Sequence, residues 1–289
     1  MTGGRVSPFH CSAVISDVDG TLVTDDKRLT PRAQAAVTEL RTGEIKFSII
    51  SSRPPRGVGL LTAALGVTTP IGCFNGGVIA AADGSVVTAN MLSPSVARRA
   101  VDTLDVHGVQ VWIFSGEDWL LRDSEGAYVE LEARTVQFRP DRVAEFGAAL
   151  DRVTKIVGVS ADFERLARCE SDVRAALADN ATIARSQPYY LDITHPRANK
   201  GDAVVEIAAL LEVPLAEIAV IGDGANDVAM FERGGLSIAM GNASSAVQQA
   251  ADFVTDSNDN DGFANAIERF ILADRQAVRP SFARSGVRA

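Results

Sequence analysis

Residues 13–20 read AVISDVDG, and this stretch decides the fold class. Its apolar start predicts a short buried strand that stops at Asp17. Pro31 then opens a helix, because the fixed φ of proline suits the first helical position. Residues 47–50 predict the next strand. This strand–helix–strand order, with nearly continuous apolar strands, indicates a parallel sheet covered by helices on both faces.

The same alternation returns in the last third of the chain. Residues 204–211 place apolar side chains on one face of a helix, and residues 218–221 predict a buried strand that ends at Gly222-Asp223-Gly224. Further short strands are predicted at 236–240 and 253–254. The predicted fold class is therefore α/β, with a doubly wound and mostly parallel core sheet.

The middle of the chain follows another pattern. Asn75-Gly76 and Asp83-Gly84 are hairpin turn signals, and the region from 91 to 188 mixes helix and strand periodicities. We predict a core formed by residues 1–84 and 190–289, interrupted by a smaller inserted α+β cap domain at 85–189. Residues 273–289 show little periodicity and predict a frayed C-terminal tail.

Composition narrows the functional classes. The 289 residues are 46% hydrophobic and 22% charged, which is typical of a globular protein, and the net charge of -9 argues against nucleic acid and anionic membrane surfaces as partners. No signal peptide and no membrane-spanning segment is expected. The three scattered cysteines indicate reduced thiols. We expect a cytoplasmic protein that is a monomer or a small homo-oligomer.

Carboxylates follow two of the predicted strands. Asp17 and Asp19 stand two residues apart, and side chains at i and i+2 of an extended chain point the same way. Asp223 ends another apolar strand, and Asp227 follows it closely. In open α/β sheets, ligands bind beyond the carboxyl ends of the strands. If both strands lie in one parallel sheet, four carboxylates crowd that crevice.

Close carboxylates cannot all stay ionised unless a positive charge offsets them. A hard dication with oxygen ligands does so, and Mg²⁺ binds a few carboxylates together with substrate phosphate. Lys200 and the Ser51 hydroxyl are complementary donors for an anion. A site of this composition suits phosphoryl transfer on a small phosphorylated substrate.

Four segments resemble, in family order, the motifs of the haloacid dehalogenase superfamily: Asp17–Leu22, Ser51, Lys200 and Gly222–Asp227. Three flanking segments resemble its Cof-like sugar-phosphatase branch, in which an α/β cap is inserted after the early core strands: Asn75–Gly77, Asn199–Gly201 and Asn258–Gly262. The chain departs from the branch where Thr-Gly-Arg is usual, because it reads Ser51-Ser52-Arg53.

The resemblance implies a magnesium-dependent phosphatase of small phosphomonoesters, with sugar phosphates as the leading substrates. Asp17 would be the nucleophile and form an aspartyl-phosphate, while Asp19 would serve as general acid and then as general base. The implied phosphate-binding residues are Ser51, Lys200 and Asn226. The implied Mg²⁺ ligands are Asp17, Asp223, Asp227 and the backbone carbonyl of Asp19.

Two other functions share this nucleophile. A phosphosugar mutase would return the phosphoryl group to a sugar instead of water. A non-catalytic switch would keep a long-lived phosphate on Asp17 and signal through the cap. The second carboxylate, Asp19, argues against the switch, because it is placed to hydrolyse the phosphorylated state.

Overall fold

A computed structural model describes residues 9–273 of the chain. Its strands are β1 Ala13–Ser16, β2 Lys46–Ile49, β3 Ile71–Cys73, β4 Val78–Ala80, β5 Val86–Ala89, β6 Gln110–Ser115, β7 Asp118–Leu121, β8 Asp141–Arg142, β9 Val153–Val159, β10 Thr182–Gln187, β11 Tyr190–Thr194, β12 Ile218–Gly222, β13 Leu236–Ala239 and β14 Phe253–Val254. Its α-helices are α1 Pro31–Thr42, α2 Gly59–Leu65, α3 Pro94–Val106, α4 Val129–Val136, α5 Phe163–Leu177, α6 Lys200–Leu211, α7 Val228–Phe231, α8 Ser245–Gln249 and α9 Gly262–Ala266. Apart from Ala273, the predicted tail lies outside the described residues.

The core is a five-stranded parallel sheet in the order β14-β13-β12-β1-β2. The chain adds β2 on one side of β1 and later adds β12 on the other side, so the strand order reverses between β1 and β12. Ligands bind at such a switch point in α/β folds. In this register Ser16 lies beside Ile221, and the amide of Asp17 donates to the carbonyl of Ile221 at 2.9 Å.

Helices cover both faces of this sheet. Alternate residues of β1 point to opposite faces: Val14 joins the apolar cluster that contains the buried face of α1, and Ile15 joins the cluster that contains α6. The first turn of α1 is fixed by Thr30, whose hydroxyl accepts a hydrogen bond from the amide of Ala33. The predicted fold class, with its mostly parallel core sheet and smaller α+β unit, is confirmed.

The middle of the chain forms two further sheets. Strands β3, β4 and β5 make a small antiparallel sheet. The second is a six-stranded, mainly antiparallel sheet in the order β10-β11-β9-β6-β7-β8, which we call the cap sheet. Helices α3 and α5 bury apolar residues against one of its faces. Within residues 9–273, no helix combines the length and the apolar character that a membrane crossing requires.

Two strands pair outside the unit to which the sequence assigned them. Tyr190–Thr194, expected in the second part of the core, is β11 and pairs antiparallel with β9 and β10 in the cap sheet. Its apolar character is the same in a core strand as in a cap strand, so composition could not decide between them. Likewise Val86–Ala89, expected in the insert, pairs with β4. The limits 84/85 and 189/190 remain predictions as domain boundaries.

The cysteines provide a test of this packing. Cys11, Cys73 and Cys169 are buried, and burial raises the pKa of the Cys169 thiol to about 11. Because the thiolate is the reactive form, we expect Ellman's reagent to label the folded protein at least about 100-fold more slowly than the protein in guanidinium. Absorbance at saturation should give three thiols per unfolded chain. Equal labelling rates in the two states would contradict the buried positions.

Candidate active site

Three carboxylates converge where β1 and β12 end. Asp17 follows β1 directly, Asp223 follows β12, and Asp227 lies one short turn later. One carboxylate oxygen of each lies within 4.8 Å of the other two. Asp17 and Asp227 are buried, and Asp223 is partly exposed. Of the four carboxylates predicted for this crevice, the fold brings these three together.

Lys200 reaches this cluster from the first turn of α6. The helix begins there because the Asn199 side chain caps it, accepting a hydrogen bond from the amide of Asp202 at 2.8 Å. The Lys200 ammonium, which is 2% exposed, donates to Asp17 Oδ1 at 2.5 Å and to Asp227 Oδ1 at 2.6 Å. Burial lowers the pKa of Lys200, but the two carboxylates outweigh it and raise the pKa above its ordinary value.

The electrostatics of the cluster favour a further cation. Burial raises the pKa of Asp17 well above its ordinary value; Lys200 opposes that shift, and Asp227 and Asp223 add to it. Burial likewise raises the pKa of Asp223, although its hydrogen bond from Thr21 opposes the shift. Three ionised carboxylates beside one ammonium leave two negative charges in excess. A divalent cation with oxygen ligands fits both this charge and this donor set.

Two glycines allow the carboxylates to approach so closely. Gly20 has a φ of +84°, and a Cβ there would lie 2.3 Å from Asp223 Oδ2. A Cβ at Gly222 would lie 2.4 Å from the carboxyl carbon of Asp227. Two backbone hydrogen bonds fix the Asp227 carboxylate, because its Oδ2 accepts from the amides of Asp223 and Gly224, each at 2.8 Å.

Asp19 departs from the prediction. Strand β1 ends at Ser16 and the chain then turns, so the rule that residues i and i+2 point the same way does not hold for Asp17 and Asp19. The Asp19 carboxylate instead accepts from Arg53, Nε to Oδ2 at 2.8 Å and Nη2 to Oδ1 at 2.6 Å. Lys27 Nζ lies 2.9 Å from the same Oδ1. Burial opposes ionisation, but Arg53 and Lys27 outweigh it and lower the pKa of Asp19.

The remaining predicted site residues lie at the crevice edge. Ser51 is buried two residues after the end of β2, and its hydroxyl accepts from the amide of Arg53 at 3.1 Å. Ser52, where glycine is usual, does not adopt a positive φ, so this turn forms without glycine. Asn226 is exposed and donates to Asn75 Oδ1 at 3.0 Å.

Sequence reasoning missed four side chains that hold this site. Thr21 donates to Asp223 Oδ1 at 2.7 Å, and Asn242 donates to the carbonyl of Gly20 at 2.9 Å. Arg53 and Lys27 bind Asp19. Thr21 and Arg53 belong to the quoted motifs and could have been found there. Lys27 and Asn242 lie outside every motif, and nothing in the local sequence distinguishes them from surface residues.

Comparison with known proteins decides the family. The family model of the haloacid dehalogenase-like hydrolases matches residues 14–267. The chain belongs to the haloacid dehalogenase-like hydrolases. The resemblance predicted from the motifs is thereby confirmed.

Known relatives of this hydrolase align with about nine-tenths of its chain. A Haemophilus influenzae protein, provisionally named a phosphatase, is 28% identical over 257 residues, covering 89% of this chain and 97% of the relative. The crystal structure of a haloacid dehalogenase-like hydrolase from Bacteroides thetaiotaomicron superposes with a TM-score of 0.84 at 27% identity, covering 90% of this chain and 99% of that one.

A third protein, described as a haloacid dehalogenase subclass IIB sugar phosphatase, gives a TM-score of 0.79 at 21% identity and covers 90% of this chain and 98% of its own; this likeness concerns the fold alone. Family membership and the phosphatase names among the relatives make the chain an enzyme of the phosphoric monoester hydrolase class.

Proposed function

We propose that this hydrolase is a magnesium-dependent phosphatase that acts on small phosphomonoesters, with sugar phosphates as the leading class, through an aspartyl-phosphate on Asp17. The observation that carries the proposal is the cluster of Asp17, Asp223 and Asp227, with Lys200 bonded to two of its members. Close carboxylates and an ammonium at a switch point suit a phosphate and a hard dication.

The residues that would hold Mg²⁺ are Asp17, Asp223, Asp227 and the backbone carbonyl of Asp19. Both oxygens of Asp227 already accept hydrogen bonds, from Lys200 and from two backbone amides, which favours contact with the ion through a water molecule. When bound, the ion supplies positive charge that neutralises phosphate oxygens and the excess negative charge of the carboxylates.

Asp17 is the proposed nucleophile because it is the buried carboxylate at the end of β1 and because Lys200 fixes one of its oxygens. A carboxylate oxygen forms the new bond to phosphorus as the bond from phosphorus to the leaving oxygen breaks. Because Arg53 and Lys27 lower the pKa of Asp19 in the free protein, Asp19 must take up a proton from solvent as the substrate binds, and it then gives that proton to the leaving oxygen. Asp19 then takes a proton from the water that hydrolyses the aspartyl-phosphate, so the two half-reactions leave the enzyme unchanged.

Binding of the phosphoryl group is proposed for Lys200, Ser51 and Asn226. Lys200 offers a buried ammonium, and Ser51 offers a hydroxyl at the end of the neighbouring strand β2. Asn226 would have to exchange its bond to Asn75 for one to phosphate. Sugar phosphates are proposed as the substrate class by analogy with the subclass IIB sugar phosphatase of the same fold.

Phosphate release tests this function. We expect the protein to release phosphate from members of a panel of sugar, nucleotide and small organic phosphates in millimolar Mg²⁺, to stop in excess EDTA, and to resume when Mg²⁺ is restored. Undiminished release in EDTA would contradict the role of the metal. Interconversion of sugar phosphates that requires a bisphosphate activator and releases little phosphate would indicate the mutase, and an aspartyl-phosphate lasting minutes would indicate the switch.

A further inference from the structure

A cavity next to Asp19 joins the core to the cap sheet. Its volume is about 230 Å³, and its wall combines core residues such as Asp19 and Arg53 with residues of α4, β9 and β11. Pockets that bury drug-sized ligands measure roughly 300–1,000 Å³, so this cavity suits a smaller group. Because the proposed acid Asp19 lines it, the cavity is where the leaving group of a substrate would lie.

Three of the polar groups on the cap side of this cavity come from three different elements. Glu132 lies on α4, Lys155 on β9 and Tyr190 on β11. Lys155 is 8% exposed and its ammonium lies 2.7 Å from Asp192 Oδ2. An ammonium has three N–H donors, so this ion pair leaves donors for a ligand. Burial raises the pKa of Glu132, while the charge of Lys155 opposes that rise, which indicates that the two groups interact.

The Tyr190 hydroxyl is an independent sign of a ligand. Tyr190 is 7% exposed; among the described residues its buried hydroxyl makes no hydrogen bond of ordinary geometry, although it lies near enough to the Glu132 carboxylate to interact with it. Buried polar groups of native proteins are nearly always hydrogen-bonded. A hydroxyl in a cavity wall whose one protein contact falls short of ordinary hydrogen-bond geometry can bond to a bound molecule together with Glu132.

The charges around the cavity decide what kind of molecule fits. The cations Lys27, Arg53 and Lys155 are matched by as many carboxylates, those of Asp19, Glu132 and Asp192. The wall thus has no excess positive charge for a second anionic group on the substrate. Sugar-like hydroxyl groups both donate and accept, so they can bond to a carboxylate and an ammonium at once.

We propose that Glu132 and Lys155 are specificity-determining residues that bind the hydroxyl groups of an uncharged, polyhydroxylated leaving group. Asp192 positions Lys155 and balances its charge. This inference rests on the proposed phosphatase function and names the side chains that choose among its substrates.

The test compares Glu132→Gln with the wild type on four probes: glucose 6-phosphate, ribose 5-phosphate, p-nitrophenyl phosphate and 2-phosphoglycolate. We expect kcat/KM for the better sugar phosphate to fall about 10- to 100-fold, as for loss of a hydrogen bond to a charged group. For p-nitrophenyl phosphate, which lacks hydroxyl groups, kcat/KM should stay within about twofold. For 2-phosphoglycolate it should rise several-fold, because the wall then carries an excess cation.

The matched control is Glu130→Gln, the same change two residues earlier on α4, where an exposed Glu130 pairs with Arg139 outside the cavity. It should leave kcat/KM unchanged for all four probes. Lys155→Gln combined with Asp192→Asn removes the buried pair without leaving a charge, and it should reproduce the selective loss on sugar phosphate.

Equal loss of kcat/KM on all probes in Glu132→Gln would overturn the inference, since that result indicates a structural role. So would a wild type that prefers 2-phosphoglycolate to both sugar phosphates. Hydrolysis of p-nitrophenyl phosphate by the wild type separates the two proposals. If it occurs with Mg²⁺ and the sugar phosphates show no selective loss, the specificity inference fails while the phosphatase stands; if no probe is hydrolysed, the proposed function itself fails.

Discussion

Asp17→Asn is expected to reduce kcat for phosphate release by at least about 10⁴-fold, the scale on which loss of a nucleophile acts in other enzymes. The amide is neutral and a poor nucleophile, so no aspartyl-phosphate can form. The fold should survive. Burial already raises the pKa of the Asp17 carboxyl, which means that its charge is costly to the folded state, and asparagine removes that charge at equal size. Lys200 keeps Asp227 as a partner.

Three measurements check this expectation: phosphate release with Mg²⁺, the thermal midpoint followed by circular dichroism, and mass spectrometry of acid-quenched protein for an added phosphate. The midpoint should be unchanged or slightly higher in the variant. Asp118→Asn, the same substitution at an exposed position on β7, serves as the control. Activity above a few per cent of wild type in Asp17→Asn would show that another group attacks phosphorus.

The position of Asp17, the proposed nucleophile, was predictable from the sequence. An aspartate directly follows each of two apolar runs, Ala13–Ser16 and Ile218–Gly222. Strands with such continuous apolar sequence must be buried on both faces. In an α/β chain such strands become neighbours in a parallel sheet, and their carboxyl ends then lie on one edge. The pairing of Ser16 with Ile221 follows that logic. The apolar periodicity and the points where the strands end were therefore sufficient to predict the core sheet and the edge at which its carboxylates meet.

The direction of Asp19 was not predictable, because it depends on where the strand stops. If β1 had continued as an extended strand through Asp19, the side chains of Asp17 and Asp19 would have pointed the same way. Instead β1 ends at Ser16, and the Asp19 carboxylate pairs with Arg53. The cap side of the cavity is a harder case. Glu132 and Lys155 lie on different elements, and only the packing of α4 against the cap sheet brings them to one wall. The local sequence does not encode which distant elements will pack together. For the same reason β11 was assigned to the core, although it pairs with β9 in the cap sheet.

Lys200→Met is expected to lose both activity and stability. Methionine fills a similar volume but leaves Asp17 and Asp227 buried without their ammonium partner. Removing one partner of a buried ion pair typically costs about 3–5 kcal/mol in the free energy of unfolding. The loss of positive charge beside the transferring phosphoryl group should lower kcat by about 10²- to 10³-fold, on the scale of a lost electrostatic stabiliser.

The free energy of unfolding of Lys200→Met should decrease as the pH rises. Burial raises the pKa of Asp17, and Lys200 is the charge that opposes this rise, so the variant should raise it further. A carboxyl whose pKa is higher in the folded state than in the unfolded state binds more protons when folded. The free energy of unfolding should therefore fall as pH rises from about 4 through the folded-state pKa, over a wider pH range than in the wild type.

Magnesium should partly replace the missing ammonium. With Lys200 gone, three carboxylates share one site without a balancing charge, and a ligand that binds only the folded state stabilises it in proportion to its affinity. The increase in thermal midpoint on adding Mg²⁺ at neutral pH should be larger in Lys200→Met than in the wild type. Lys46→Met is the matched control, because Lys46 lies at the start of β2 and donates to the carbonyl of Leu211, away from the carboxylates. Two results together would contradict this role of Lys200: a free energy of unfolding of Lys200→Met within about 1 kcal/mol of the wild type, and an increase in thermal midpoint with Mg²⁺ no larger than that of Lys46→Met.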